Sequence, residues 1–334
     1  MLVPSMHDTR IVNVASSDTH CLALSAEGKV YSWGNGSDGA LGHADGSARA
    51  GPSRIETLAR VESIAAGTGS TSAAVDDRGS LFTWGGGAIG SGPAGLGYEL
   101  DPETAMQLTP KRVDALSEDR VVGVALGGSL ILAVTDAGAV FSFGQSVHGE
   151  LGHGLSTSEV LPRRIEALAK MWWRFVAVAA GGYHSLALTE EGHVYGWGYR
   201  LANGHGQEQR TPQLVTALAG VRVLLVYARD CSSCAVTEKG ELYTWGRSIL
   251  YAGFHLGHGV AGPQPTPKRV EALSGVKVAA AAVGDSHSLV AGDDGVVWGF
   301  GQRTTLGLGE GDAWLQDFVA QPTPTPNLPV RTLP

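Results

Sequence analysis

One phrase of seven residues governs what this chain can fold into, because it returns six times. GKVYSWG (28–34) is followed by GSLFTWG (79–85), GAVFSFG (138–144), GHVYGWG (192–198), GELYTWG (240–246) and GVVWGFG (295–301). The closing glycines lie 51, 59, 54, 48 and 55 residues apart. A period near fifty residues marks a repeat architecture rather than a string of independent domains.

Each copy carries three further parts. The first two resemble FVAVAAGG (175–182) and YHSLALTEEG (183–192), short alternating segments bounded by glycine that read as strands. The last follows a variable loop: PSRIETL (52–58), PKRVDAL (110–116), PRRIEAL (162–168), PQLVTAL (212–218) and PKRVEAL (267–273), with a degenerate version at 330–333. Its proline suits an edge strand or a strand start. The copies run over 10–58, 60–116, 120–168, 174–218, 222–273 and 277–333, and 321–334 reads as a Pro-rich extended tail.

Four short strands per copy, repeated in series, specify an all-β chain: a β-propeller of four-stranded blades that bury their faces on one another. The 48 glycines and the 17% of charged residues agree with many tight turns and few surface helices. Trp33, Trp84, Phe143, Trp197, Trp245 and Phe300 are then expected between neighbouring blades, each followed by a glycine that lets the chain leave the strand. Gly34-x-Gly36-x-x-Gly39 formally matches a dinucleotide fingerprint, but no helix follows it, so it reads as a strand-to-strand turn.

The six VxVAxGxxHSLALTxxGxVYxWG…LGHG…PxRVEAL units resemble the regulator of chromosome condensation repeat family over essentially the whole chain. The resemblance implies a propeller that usually has seven blades, whereas six are visible here; a seventh would come from other sequence or from a partner. It also implies a possible activity, guanine nucleotide exchange on a Ran-type small GTPase, worked by a wedge that loosens bound nucleotide beside acidic contacts. Similar propellers include the plant ultraviolet-B receptor, which places tryptophan in a G-W-R-H-T phrase before the second strand. The corresponding stretches here, SSDTH, GTGST, GGSLI, GGYHS, RDCSS and GDSHS, contain none.

Charge and composition narrow the partners. A net charge of −8 argues against direct nucleic-acid binding. Three cysteines cannot staple a chain of this size, so an intracellular location, cytoplasmic or nuclear, is expected. The start of the sequence lacks the order of a signal peptide, and the longest apolar stretch, 121–134, is too short for a bilayer.

No cofactor or metal site is expected. His20, His184 and His287 precede the second strand, and His43, His153, His205 and His258 sit at or near a Leu-Gly-His loop. Equivalent positions on neighbouring sheets lie on the order of 10 Å apart, against metal bonds of about 2 Å, so these histidines read as structural. Cys231-x-x-Cys234 lacks a second pair; Cys234 aligns with the apolar Leu186, and Cys231 reads as a turn thiol. Arg10, Arg60, Arg120, Arg174, Arg222 and Lys277 share one position, and acids follow the Val or Ile of the fourth part, a pattern that predicts ion pairs linking blades. No catalytic constellation stands out, so an enzyme is the less favoured class, with nucleotide exchange as the activity if there is one.

Residues that break the repeat carry the functional expectation. Trp172 and Trp173 are inserted before Arg174, as a partner-facing anchor or a local plug. Trp314 and Phe318, four apart, suit one face of a helical turn. The loop after Gly85, longer than its counterparts in the first and third copies, brings Tyr98, Glu99, Asp101 and Glu103. These eight are the candidate partner-binding residues of a protein-interaction scaffold, or of an exchange factor for a small GTPase.

Overall fold

The computed structural model describes residues 6, 8–86, 95–100, 106–200, 202–247, 254–306 and 318–325. The expected strands form six four-stranded antiparallel sheets in chain order, the blades of a β-propeller. The first sheet is β1 (Ile11–Ser16), β2 (His20–Ser25), β3 (Val30–Gly34) and β4 (Arg49–Arg54). The second is β5 (Val61–Ala66), β6 (Thr71–Asp76), β7 (Leu81–Gly86) and β8 (Met106–Arg112). The third is β9 (Val121–Leu126), β10 (Leu130–Thr135), β11 (Val140–Gly144) and β12 (Glu159–Arg164). Then come β13 (Phe175–Ala180), β14 (His184–Thr189), β15 (Val194–Gly198) and β16 (Gln209–Leu214), followed by β17 (Val223–Arg229), β18 (Ser232–Thr237), β19 (Leu242–Gly246) and β20 (Gln264–Arg269). The last sheet is β21 (Val278–Val283), β22 (His287–Gly292), β23 (Val297–Gln302) and β24 (Phe318–Pro324). The chain divides into two compact units, 1–147 with 151–182, and 148–150 with 183–334.

In the first five copies the proline lies in the edge strand of its sheet, one of the two expected places, and toward the end of that strand rather than at its start, after which the chain turns. Pro52 lies near the end of β4, and Ile55, the next apolar residue, is buried with its N–H bonded to Val30 O at 2.9 Å. Val113, Ile165, Val215 and Val270 do the same in their copies. The fourth strand of the last copy lies at Phe318–Pro324, upstream of the expected 330–333, and takes in the start of the Pro-rich tail. Phe318 pairs with Gln302 in that strand, so the four-residue spacing from Trp314 does not place it on a helical turn.

In the first unit, Trp84 packs against Leu22, Leu24, Val30, Ile55 and Leu58 of the preceding copy. Phe143 packs in the same way on Ala73, Val75, Leu81 and Val113. In the second unit, Phe300 packs on Cys234, Val236, Leu242 and Val270. The expected role of the aromatic column is thus met: five of its six members are 0% exposed, while Trp33 is partly exposed.

A polar lock accompanies this packing. In the first unit, the carbonyl of Ala40 accepts Trp84 Nε1–H and the Ser72 hydroxyl, both at 2.8 Å. In the second, Glu150 O accepts Trp197 Nε1–H and the Ser185 hydroxyl, both at 2.7 Å. Ala202 O accepts Trp245 Nε1–H at 2.8 Å and Ser233 at 3.0 Å. The serine's one proton is spent on the carbonyl, so the neighbouring histidine donates to it: His20 Nε2 to Ser72 at 2.8 Å and His184 Nε2 to Ser233 at 2.6 Å. Where Ile131 and Phe143 occupy the serine and tryptophan positions, contact with the preceding copy is apolar.

Arg229 reaches Asp285 of the next copy at 3.1 Å, an ion pair of the expected kind, but the charges at the shared position are used differently. Arg60–Asp77 (3.5 Å), Arg222–Glu238 (3.8 Å) and Lys277–Asp293 (3.4 Å) each lie within one copy. The arginines bridge copies through backbone instead: Arg174 donates to Asp136 O at 2.6 Å and Arg222 to Glu190 O at 3.3 Å.

Candidate functional site

Between the third and fourth copies a helical turn, α1 (Glu166–Ala169), is anchored by Ile165 and Leu168, which are buried. Lys170 N–H bonds back to Glu166 O at 3.2 Å and Met171 N–H to Leu168 O at 3.0 Å, so the backbone of the turn is tied down as far as Met171. The chain re-enters the core at Phe175. Five residues, Ala169 to Trp173, separate Leu168 from Arg174, whereas three separate Leu116 from Arg120, Leu218 from Arg222 and Leu273 from Lys277. Trp172 is 100% exposed and Trp173 39%. The local-plug reading of Trp172 therefore fails, and two adjacent indoles stand on a fixed base.

The other candidates are not brought to this turn as a group. Tyr98 is buried, its hydroxyl donating to Thr83 O at 2.8 Å, and Thr83 Oγ1 donates to Leu96 O at 2.6 Å. This repeats the arrangement of other copies, in which Ser32, Ser142 and Thr244 donate to Leu41, Leu151 and Leu256 carbonyls and meet His43, His153 and His258. Leu96-Gly97-Tyr98 is thus the Leu-Gly-His of the second copy, with Tyr98 in the histidine's place and Lys111 Nζ 4.2 Å above its ring. Burial pushes its phenol pKa well up. Glu99 is exposed, and Phe318 is half-buried in β24. Asp101, Glu103 and Trp314 lie outside the described residues.

Ser232 Oγ sits 2.6 Å from His255 Nε2, the distance of a nucleophile and its base. Both residues are buried, and burial pushes His255 down to about 4, leaving a neutral base without an approach for substrate. Cys231 is a free thiol in the turn, as expected, and it is buried; burial and then Asp230 push it up to about 12. Cys234 is buried as expected and is likewise pushed up to about 12, so neither thiol is an activated nucleophile. Among the described residues no three His, Cys, Asp or Glu side chains converge as metal ligands, and no helix is long and apolar enough to cross a membrane.

One grouping escaped the sequence reading. His148, Tyr183 and Tyr199 come from two successive copies and meet in space. The signal was present as three aromatic rings in columns that other copies fill with small or polar residues, but no single copy shows it.

Residues 1–332 match the family model described as the RCC1-like domain. Human E3 ubiquitin-protein ligase HERC2 is 39% identical over 291 residues, which is 83% of this chain and 6% of that protein. The ultraviolet-B receptor UVR8 of Arabidopsis thaliana is 31% identical over 319 residues, 91% of this chain and 68% of the receptor. Among solved structures, yeast RCC1 (Prp20) in its complex with Kap60 is similar with a TM-score of 0.78 at 25% identity, covering 95% of this chain and 75% of that one.

Proposed function

The chain belongs to the RCC1-like domain family, and from that premise we propose that it is a non-enzymatic scaffold that holds a protein partner on the Trp172–Trp173 turn. The observation that carries this reading is Trp172, fully exposed on an anchored turn. An indole left wholly in water forgoes the burial that tryptophan gains in a core, and tryptophan anchors dominate interface energies. Blade packing does not require it, since three other copies join the same elements with three residues and no aromatic. A relative binding another protein, Prp20 with Kap60, supports protein recognition as a use of this fold. HERC2 supports only the domain, because the chain spans 6% of its length.

Nucleotide exchange on a small GTPase is the second reading, favoured by the family resemblance. Its tempting wedge, the loop after Gly85, has Tyr98 turned inward and bonded. Photoreception is not carried over from UVR8, because Asp18, Gly69, Gly128, Gly182, Asp230 and Asp285 stand where that receptor's turn calls for tryptophan.

Crosslinking mass spectrometry of the native complex tests the scaffold. Lys170 is expected to crosslink to a partner, and Trp172→Ala is expected to abolish that crosslink while leaving the thermal midpoint unchanged or higher. Retention of the crosslink overturns the assignment of this turn. Accelerated release of fluorescent nucleotide from any member of a small-GTPase panel would establish exchange in place of a non-enzymatic scaffold.

A further inference from the structure

Three residues that depart from the repeat converge on one surface spot. Tyr183 stands in the turn before β14, where other copies hold Thr19, Ser70, Ser129, Cys231 and Ser286. Tyr199 follows Gly198, where the others hold Asn35, Gly86, Gln145, Arg247 and Gln302. His148 belongs to the loop of the preceding copy, in the column of Asp38. The His148 ring meets Tyr183 edge-on with centroids 5.6 Å apart and lies 5.0 Å from Tyr199, and the two phenol rings are 6.5 Å apart. Tyr183 is 40% exposed, so the cluster faces solvent. Other copies close the same turns with small or polar side chains, so the fold does not demand these rings.

Charge decides what such a surface takes. Glu208 is already satisfied: Oε2 lies 3.1 Å from His148 Nδ1 and Oε1 3.2 Å from Arg210 Nε. Those two bonds, His148 first, hold its carboxyl below the usual range. Arg200, next in sequence to Tyr199, is exposed and forms no hydrogen bond or ion pair among the described residues. The hydroxyls of Tyr183 and Tyr199 likewise have no partner among the described residues. The polar groups left over are thus a guanidinium and two phenols, all able to donate.

We propose that this cluster docks an acidic segment of a protein partner, with an Asp or Glu carboxylate on Arg200 and the adjoining peptide laid on the tyrosine rings. Tyrosine and arginine are the residue types that anchor interfaces, and a guanidinium matches a carboxylate with two parallel hydrogen bonds. A nucleic-acid strand fits less well. One arginine without a partner among the described residues falls far short of the roughly six to ten phosphate contacts of a strong binder. The inference rests on the protein-binding reading above, and uses residues other than Trp172 and Trp173.

Fluorescence anisotropy on the full chain tests it with a labelled Glu-rich peptide, its Gln counterpart and a single-stranded oligothymidylate of equal charge. The Glu peptide is expected to bind, to weaken as salt rises, and to bind at least about tenfold more tightly than the Gln peptide. Arg200→Ser and Tyr183→Ala are each expected to weaken it about tenfold, and Trp172→Ala to leave it unchanged. Arg200 is exposed and has no hydrogen bond or ion pair among the described residues, so its variant keeps the test decisive if Tyr183→Ala disturbs the fold. Equal binding of the Gln peptide, undiminished binding by Arg200→Ser, or tighter binding of the oligothymidylate overturns the proposal. Absence of peptide binding while the Lys170 crosslink still depends on Trp172 removes this inference and leaves the scaffold standing; the reverse pair of results removes the Trp172 surface alone.

Discussion

At the scale of single residues, Tyr98 shows why a repeat-breaking letter misleads when it is read apart from its neighbours. Leu96-Gly97 before it marks the Leu-Gly-His column, and the ring occupies the histidine's place with a hydroxyl bonded to Thr83 O. Tyr98→His restores the column's usual residue and is expected to change stability by under about 1.5 kcal/mol, whereas Tyr98→Ala leaves a cavity and costs about 3–5 kcal/mol. Urea midpoints of the two variants check this, and equal losses would contradict the assignment. The glycines were legible for a simpler reason. Gly85 has φ +109° and an added Cβ would strike the carbonyl oxygen of Ser70, while Gly51 has open space around it. Gly85→Ala is expected to cost at least about 2 kcal/mol and Gly51→Ala to lie within about 0.5 kcal/mol of the parent, compared by the same denaturation.

At the scale of elements, strand existence was legible and strand limits less so. Proline signalled an edge strand or a strand start; the edge strand is what forms, and the phrase marks its exit, with its Val or Ile plugging the core and its last residues turning. The lock between neighbouring copies was invisible because it joins a loop carbonyl to side chains more than thirty residues away. In the second unit it makes a sharp prediction. Ser233→Ala removes the acceptor of His184 Nε2–H and one of two donors to Ala202 O, and is expected to cost about 1–3 kcal/mol. Trp245→Phe removes the other donor. A double-mutant cycle is expected to show coupling of about 0.5 kcal/mol or more, because both side chains share one carbonyl; strict additivity would separate them.

At the scale of the whole molecule, the copy number and blade architecture follow from periodicity, whereas the clusters that matter for binding assemble across copies and obey no period. The same contrast sets the response to acid. Buried histidines recur along the chain, and burial pushes His184 down to about 3 and His255 down to about 4, with His43, His153, His205, His258 and His287 also lowered chiefly by burial. The unfolded chain takes up protons near pH 6.5, so between there and the folded values it binds more protons than the native state, and stability falls as pH falls. Above about pH 7 this contribution is constant. Each deeply buried histidine removes about 1.4 kcal/mol per pH unit within its window. Urea midpoints measured from pH 7.5 to 4.5 are therefore expected to be level at first and to drop steeply below pH 6. His184→Gln, whatever it costs at neutral pH, is expected to flatten that drop, since glutamine offers its own donor to Ser233 and no proton site. A midpoint that holds steady down to pH 4.5, or an undiminished slope in the variant, would show that these imidazoles are not held neutral by the fold.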